Sequence, residues 1–95
     1  MMNATTVYLL HFDAPYKHAK HYLGYTADLD ARLRDHRSGN GARLMAVIMD
    51  AGITFRVARL WKGGRDLERK LKNQKNAGAR LCPLCRAERA TKVED

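Results

Sequence analysis

Two cysteines in 95 residues are too few for a disulfide framework, and they stand together as Cys82-Pro83-Leu84-Cys85. That usage fits a reducing compartment. No apolar run approaches the roughly 20 residues needed to cross a bilayer. The N-terminus also lacks the basic-then-apolar layout of a secretory signal, so the sequence predicts a cytoplasmic protein with no membrane partner. The chain has no room for two comfortable domains, which excludes a large enzyme with its own cofactor-binding domain. No internal repeat or low-complexity segment occurs. The 45% hydrophobic and 29% charged composition is globular and excludes a disordered chain.

Acidic side chains are also scarce: 10 Asp plus Glu face 18 Lys plus Arg, a net charge of +8. Residues 62–80 hold seven basic side chains (Lys62, Arg65, Arg69, Lys70, Lys72, Lys75, Arg80) and two acidic ones (Asp66, Glu68), which is five of those eight charges. A stripe of this sign concentrates polyanions near the protein and speeds their encounter with it. A solvated lysine-rich helix that binds nothing has the same composition, so charge alone leaves both readings standing.

The run Thr6-Val7-Tyr8-Leu9-Leu10-His11-Phe12 is β-branched and aromatic with apolar side chains on both faces, the pattern of a central strand. Asp13-Ala14-Pro15 is expected to break it, and Tyr16 to Lys20 reads as a long hairpin loop. His21 to Thr26 forms a second strand. Thr26 or Asp28 caps a following helix, in which Leu29 and Leu33 mark the buried stripe and Arg32 and His36 lie on its edge. Ser38-Gly39-Asn40-Gly41 ends that helix, and a more apolar helix spans 42–51, with Gly52 suited to its C-terminus. Ile53 to Val57 alternates and continues as a third strand towards Trp61. A third helix over 65–77 carries Leu67 and Leu71 inward and stops near Gly78, and the tail beyond Pro83 reads as poorly ordered. The expected architecture is α+β: a small three-stranded antiparallel sheet flanked by helices in the order β-β-α-α-β-α.

Hydrolysis of a phosphodiester needs a positioned and deprotonated water, neutralisation of transition-state charge and stabilisation of the leaving oxygen. Arginine suits the phosphate because its planar fork binds two oxygens at once. Mg²⁺ prefers oxygen ligands and keeps several waters, so one carboxylate can anchor it beside a phosphate. The sequence offers Tyr8 and Tyr22 on strands expected to pair, Arg32 and His36 on the next helix, and Glu68 among Arg65, Arg69 and Lys72.

Thr6-Val7-Tyr8, Tyr22-Leu23-Gly24, the stretch Leu29 to His36, Gly41-Ala42-Arg43 and the downstream Glu68, taken in that order, resemble the GIY-YIG nuclease family, above all its compact single-domain and branched-DNA-cutting members. The resemblance covers roughly residues 5–78. No piece is specific alone; the ordered combination is. It implies a nuclease domain over residues 1–80, followed by a tail, 81–95, with the CxxC pair. It further implies a one-metal endonuclease in which the residue matching Tyr8 is the general base and that matching Tyr22 orients the site. Arg32 would then stabilise the phosphate, His36 assist proton transfer or contact phosphate, and Glu68 hold Mg²⁺ or Mn²⁺. A tyrosine, with an ordinary pKa near ~10, needs nearby cations to serve as a base. The partner implied is DNA, branched or flap DNA included, held along its phosphates by Lys17, Lys20, Arg34, Arg37, Arg43, Arg69, Lys72 and Lys75. Specificity would come from DNA shape, a homodimer or a partner protein. Thr6 stands where the family prefers glycine, and the loop between the two tyrosine motifs is long for the family. The asparagine common after the metal glutamate has two candidates, Asn73 and Asn76.

Each residue also has a plainer account. Strand tyrosines are usually core or rim residues. Arg32 can pair with Asp28 or Asp35, and Glu68 with Lys72, at helical spacing. A histidine at a helix C-terminus favours the imidazolium for dipole reasons alone. His18 and His21, with Lys17 and Lys20, suit a basic hairpin tip. Cys82 and Cys85 are half of a zinc site. No second pair follows them, so a structural Zn²⁺ would need a distant histidine or a second chain and is disfavoured. Two alternatives to the nuclease follow: a nucleic-acid-binding module of the same fold without chemistry, and a small interaction protein whose basic face meets an acidic partner, with the CxxC closing a zinc-bridged dimer.

Overall fold

A computed structural model describes residues 5–74 and 77–85. The elements run β1 (Thr6–Tyr16), β2 (Ala19–Thr26), α1 (Leu29–Ser38), α2 (Arg43–Asp50), β3 (Phe55–Lys62), α3 (Arg65–Lys72) and α4 (Ala77–Leu81). The strands form one antiparallel sheet in the order β2-β1-β3, so the doubly apolar strand is the central one, and the fold is α+β as the sequence predicts. No helix among the described residues is long and apolar enough to cross a membrane.

Strand alternation divides the molecule. Tyr8, Leu10 and Phe12 point to the face covered by α1 and α2, where they pack with Leu33, Met45, Ile48 and Phe55. Val7 and Leu9 point the other way and pack with Leu23, Leu71, Cys82 and Cys85 under α3 and the C-terminal segment. A period of two thus lets one central strand build two cores.

Helix α1 starts where the Asp28 carboxylate accepts a hydrogen bond from Ala31 N at 3.1 Å, and it ends at Gly39 in the left-handed conformation. Gly52, with φ of 79°, follows the end of α2 as expected.

Three local expectations are corrected. Asp13-Ala14-Pro15 does not break β1, which runs on to Tyr16, and the supposed long loop is a two-residue turn, Lys17-His18, with Lys17 at φ 56°. The irregularity sits inside the ladder: His11 pairs with His21 but Tyr16 pairs with Ala19, a register shift in the stretch that holds Pro15, which has no N–H to give. The third helix is two pieces, α3 ending at Lys72 and α4 from Ala77, and β3 begins at Phe55 rather than Ile53. Of the tail, residues up to Cys85 are described and the expectation for the remainder lies outside them.

Candidate active site and metal centre

Tyr8 lies opposite Gly24, and Leu10 opposite Tyr22, so both phenols project from neighbouring strands onto the α1 face. Their ring centroids are 6.0 Å apart. Helical spacing brings Arg32 and His36 down from α1 onto the same spot. The Tyr8 hydroxyl lies 2.8 Å from His36 Nε2, and the His36 ring meets Tyr22 edge-on at 5.2 Å between centroids. Arg32 is within hydrogen-bonding reach of Tyr8 and Tyr22, and its pKa is raised chiefly by the bond to Tyr8. Tyr8, Tyr22, Arg32 and His36 therefore form one cluster.

Two glycines make room for it. A Cβ on Gly24 would sit 2.7 Å from the Tyr8 hydroxyl and 2.9 Å from a Tyr22 ring carbon. A Cβ on Gly41 would strike Nδ1 of His36. Neither place admits a side chain without moving a member of the cluster.

Burial sets the protonation states. It drives the Tyr8 pKa up to about 12 against the opposing pull of Arg32, so the phenol is protonated at neutral pH. It also pushes His36 down to about 4, helped by repulsion from Arg32. His36 is fully buried and neutral, which corrects the expectation of a dipole-stabilised imidazolium at the helix end. With Tyr8 protonated and His36 neutral, the phenol O–H donates to Nε2, and the ring proton resides on Nδ1 by inference from this pair. Nδ1 has no hydrogen-bond partner among the described residues.

The neutral imidazole gives stability a defined pH dependence. Unfolded, His36 takes up a proton near pH 6.5, but folded only near 4, so between these values the unfolded chain binds more protons. Stability is full above about pH 6.5 and declines towards pH 4, by about 3 kcal/mol from this residue. Urea midpoints measured between pH 7 and pH 4.5 should show the decline, and His36→Gln should flatten much of it.

Glu68 stands elsewhere. It lies in the first turn of α3, whose Leu67 and Leu71 pack on the Val7–Leu9 face, opposite the tyrosine cluster. Its carboxylate accepts a hydrogen bond from Lys72 Nζ at 3.1 Å, the i,i+4 pair that spacing alone suggests. Glu68 does share one end of the sheet with the cluster: Gly63 N donates to Thr5 O just before α3, and Thr6 pairs with Thr26 just before α1. Asn73 caps the end of α3, and Asn76 and Lys75 lie outside the described residues.

The other cations are exposed and spread over several elements. Lys17 is at the hairpin turn with Tyr16 beneath its ammonium, and Lys20 is on β2. Arg34 and Arg37 are on α1, the latter over the Phe55 ring at 5.2 Å. Arg43 opens α2, and Arg69 and Lys72 are on α3.

A second constellation occupies the opposite face. His11 and His21 face each other across β1 and β2, and the C-terminal segment brings Cys82 and Cys85 to them. One ligand atom from each lies within 4.8 Å of every other, a cluster that can hold a metal ion and whose nitrogen and sulfur donors suit zinc better than Mg²⁺ or Mn²⁺. This corrects two readings. His21 is inside the fold rather than at the hairpin tip, and the CxxC pair finds its distant histidines within the same chain. The sequence signal was present, since His11 shares parity with Val7 and Leu9. The ladder irregularity hid the pairing with His21.

Comparison with known proteins returns no match among family models, curated proteins or solved structures.

Proposed function

We propose that the chain is a divalent-metal-dependent endonuclease that hydrolyses DNA phosphodiester bonds at the Tyr8–Tyr22–Arg32–His36 cluster, in the manner of the GIY-YIG nucleases that its motifs resemble. The observation that carries this reading is the 2.8 Å contact between a phenol and a neutral, buried imidazole beside an arginine. A phenol whose pKa is about 12 is seldom ionised at pH 7 and is a poor base alone. Coupled to His36 it can act as a relay. Tyr8 Oη takes a proton from the attacking water as its own proton passes to Nε2, which is vacant because the ring is neutral. The new P–O bond forms from that water, the P–O bond to the leaving strand breaks, and the departing oxygen collects a proton from solvent. His36, whose neutral form burial favours, gives up its extra proton to solvent. Arg32 binds the non-bridging oxygens and offsets the charge they gain. Tyr22 fixes the imidazole by its edge-on contact.

Glu68 would hold Mg²⁺ or Mn²⁺ through the carboxylate oxygen that Lys72 does not engage, and the bound ion would supply further charge neutralisation. The exposed cations would grip phosphates without reading bases, making affinity steeply salt-dependent. One observation favours a second reading, a binding module without hydrolysis: the Glu68–Lys72 pair accounts for Glu68 with no metal, on a helix that covers the opposite face.

Incubation with supercoiled plasmid, a flap and a four-way branched oligonucleotide, with Mg²⁺, Mn²⁺ or neither, separates the two. The nuclease cuts at least one substrate with metal and none without, whereas the module binds all three in low salt and cuts none.

A further inference from the structure

The face of the sheet away from the tyrosine cluster carries a site that the nuclease reading does not use. We propose that His11, His21, Cys82 and Cys85 bind one Zn²⁺ in a closed tetrahedral site that fastens the C-terminal segment to the β1–β2 hairpin. His11 Nδ1 lies 3.4 Å from Cys82 Sγ and 3.5 Å from Cys85 Sγ, and His21 Nε2 lies 3.2 Å from Cys85 Sγ. Zinc bonds of about 2.3 Å to sulfur and about 2.0–2.1 Å to nitrogen give tetrahedral edges of about 3.4–3.8 Å, so the four donors need only small adjustments to enclose the ion. Two thiolates and two imidazoles in that arrangement select zinc over the hard, oxygen-seeking Mg²⁺ and Mn²⁺.

The surroundings fit a structural ion. Cys82 and His11 are almost wholly buried, Cys85 nearly so and His21 partly, an enclosed setting that suits a structural ion. The Cys85 backbone N–H donates to Cys82 Sγ at 3.4 Å, a contact that would orient a ligating sulfur. Gly78 of α4 packs directly on His21, where a Cβ would come within 2.7 Å of the ring, and so holds the imidazole against the sheet. The apolar part of this core is small: among the described residues its buried members besides the cysteines are Val7, Leu9, Leu23 and Leu71. An ion bound only by the folded chain adds its binding free energy to stability, and here it would join residues more than 60 positions apart.

This proposal is independent of the nuclease reading and is tested without nucleic acid. Protein purified without chelator and dialysed against metal-free buffer should carry one zinc per chain by elemental analysis. Exchange with Co²⁺ should give the intense visible bands of a tetrahedral ion and a sulfur-to-cobalt charge-transfer band. Cys82→Ser/Cys85→Ser should lose the zinc, and stripping the wild-type ion should lower its melting temperature. In case the double variant does not fold, His21→Cys, which preserves four donors, should still hold one zinc. Wild-type protein that carries no zinc and gives no cobalt spectrum on titration would overturn the proposal, as would full zinc content in the double serine variant.

Discussion

Tyr8→Phe should bind DNA as tightly as the parent chain and cut it about 10³-fold more slowly in single-turnover experiments. The substitution preserves the ring that packs with Leu10, Leu33, Met45 and Ile48 and removes one atom, the oxygen between Arg32 and His36. Without it, water has no relay to Nε2. The remaining rate is what Arg32 and a bound metal supply. His36 Nε2 also loses its partner, and since Nδ1 already lacks one among the described residues, the buried ring would have neither nitrogen satisfied. That costs about 1–3 kcal/mol of stability, so the rate comparison belongs at a temperature where both proteins are folded by circular dichroism. A Tyr8→Phe chain that cuts at the parental rate would remove the phenol from the mechanism.

Glu68→Ala should abolish detectable cleavage while DNA binding persists and the fold stands. The pair with the well-exposed Lys72 is worth only about 0.3–0.5 kcal/mol, and Leu67 and Leu71 still hold α3 on the sheet, so its loss leaves α3 in place. If the carboxylate anchors the metal, its removal takes away the ion and the charge neutralisation that comes with it. Mn²⁺ titrated against the two proteins, followed by electron paramagnetic resonance, should show a site in the parent and none in the variant. Unimpaired cutting by Glu68→Ala would assign Glu68 to its ion pair and nothing else. That outcome would leave the zinc proposal untouched, because its ligands lie among other residues of the second core.

The tyrosine cluster was legible in the sequence because it depends on short-range geometry. Tyr8 and Gly24 meet through antiparallel pairing, Arg32 and His36 through one helical turn, and both periods can be read from residue spacing. The central position of β1 was legible too, from apolar residues on alternate faces. What escaped depends on the tertiary fold. Neutral His36 follows from complete burial beside Arg32, whereas its place near a helix end points to the opposite charge. The hairpin was misread because Pro15 and Asp13 look like breakers, yet an exposed strand end tolerates both; Asp13 there bonds with Thr54 and Arg56 across the sheet. The partners of Cys82 and Cys85 were out of reach because they stand more than 60 residues away on a ladder whose register shifts.

If Tyr8, Arg32 and His36 together break phosphodiester bonds, Arg32 is the member that binds the phosphate, and its removal should slow hydrolysis without undoing DNA binding. The measurement is the cleavage in Mg²⁺ of supercoiled plasmid, the flap and the four-way branched oligonucleotide by the wild type and Arg32→Ala, side by side, at protein concentrations that saturate binding. No chelator is added, since it would also strip a Cys₂His₂ site. The wild type should cut at least one of the three, and Arg32→Ala should cut that substrate about 10²–10³-fold more slowly while binding it comparably. All three substrates left intact by saturating wild-type protein, or any of them cut equally by both proteins, would show that these residues do not break phosphodiester bonds.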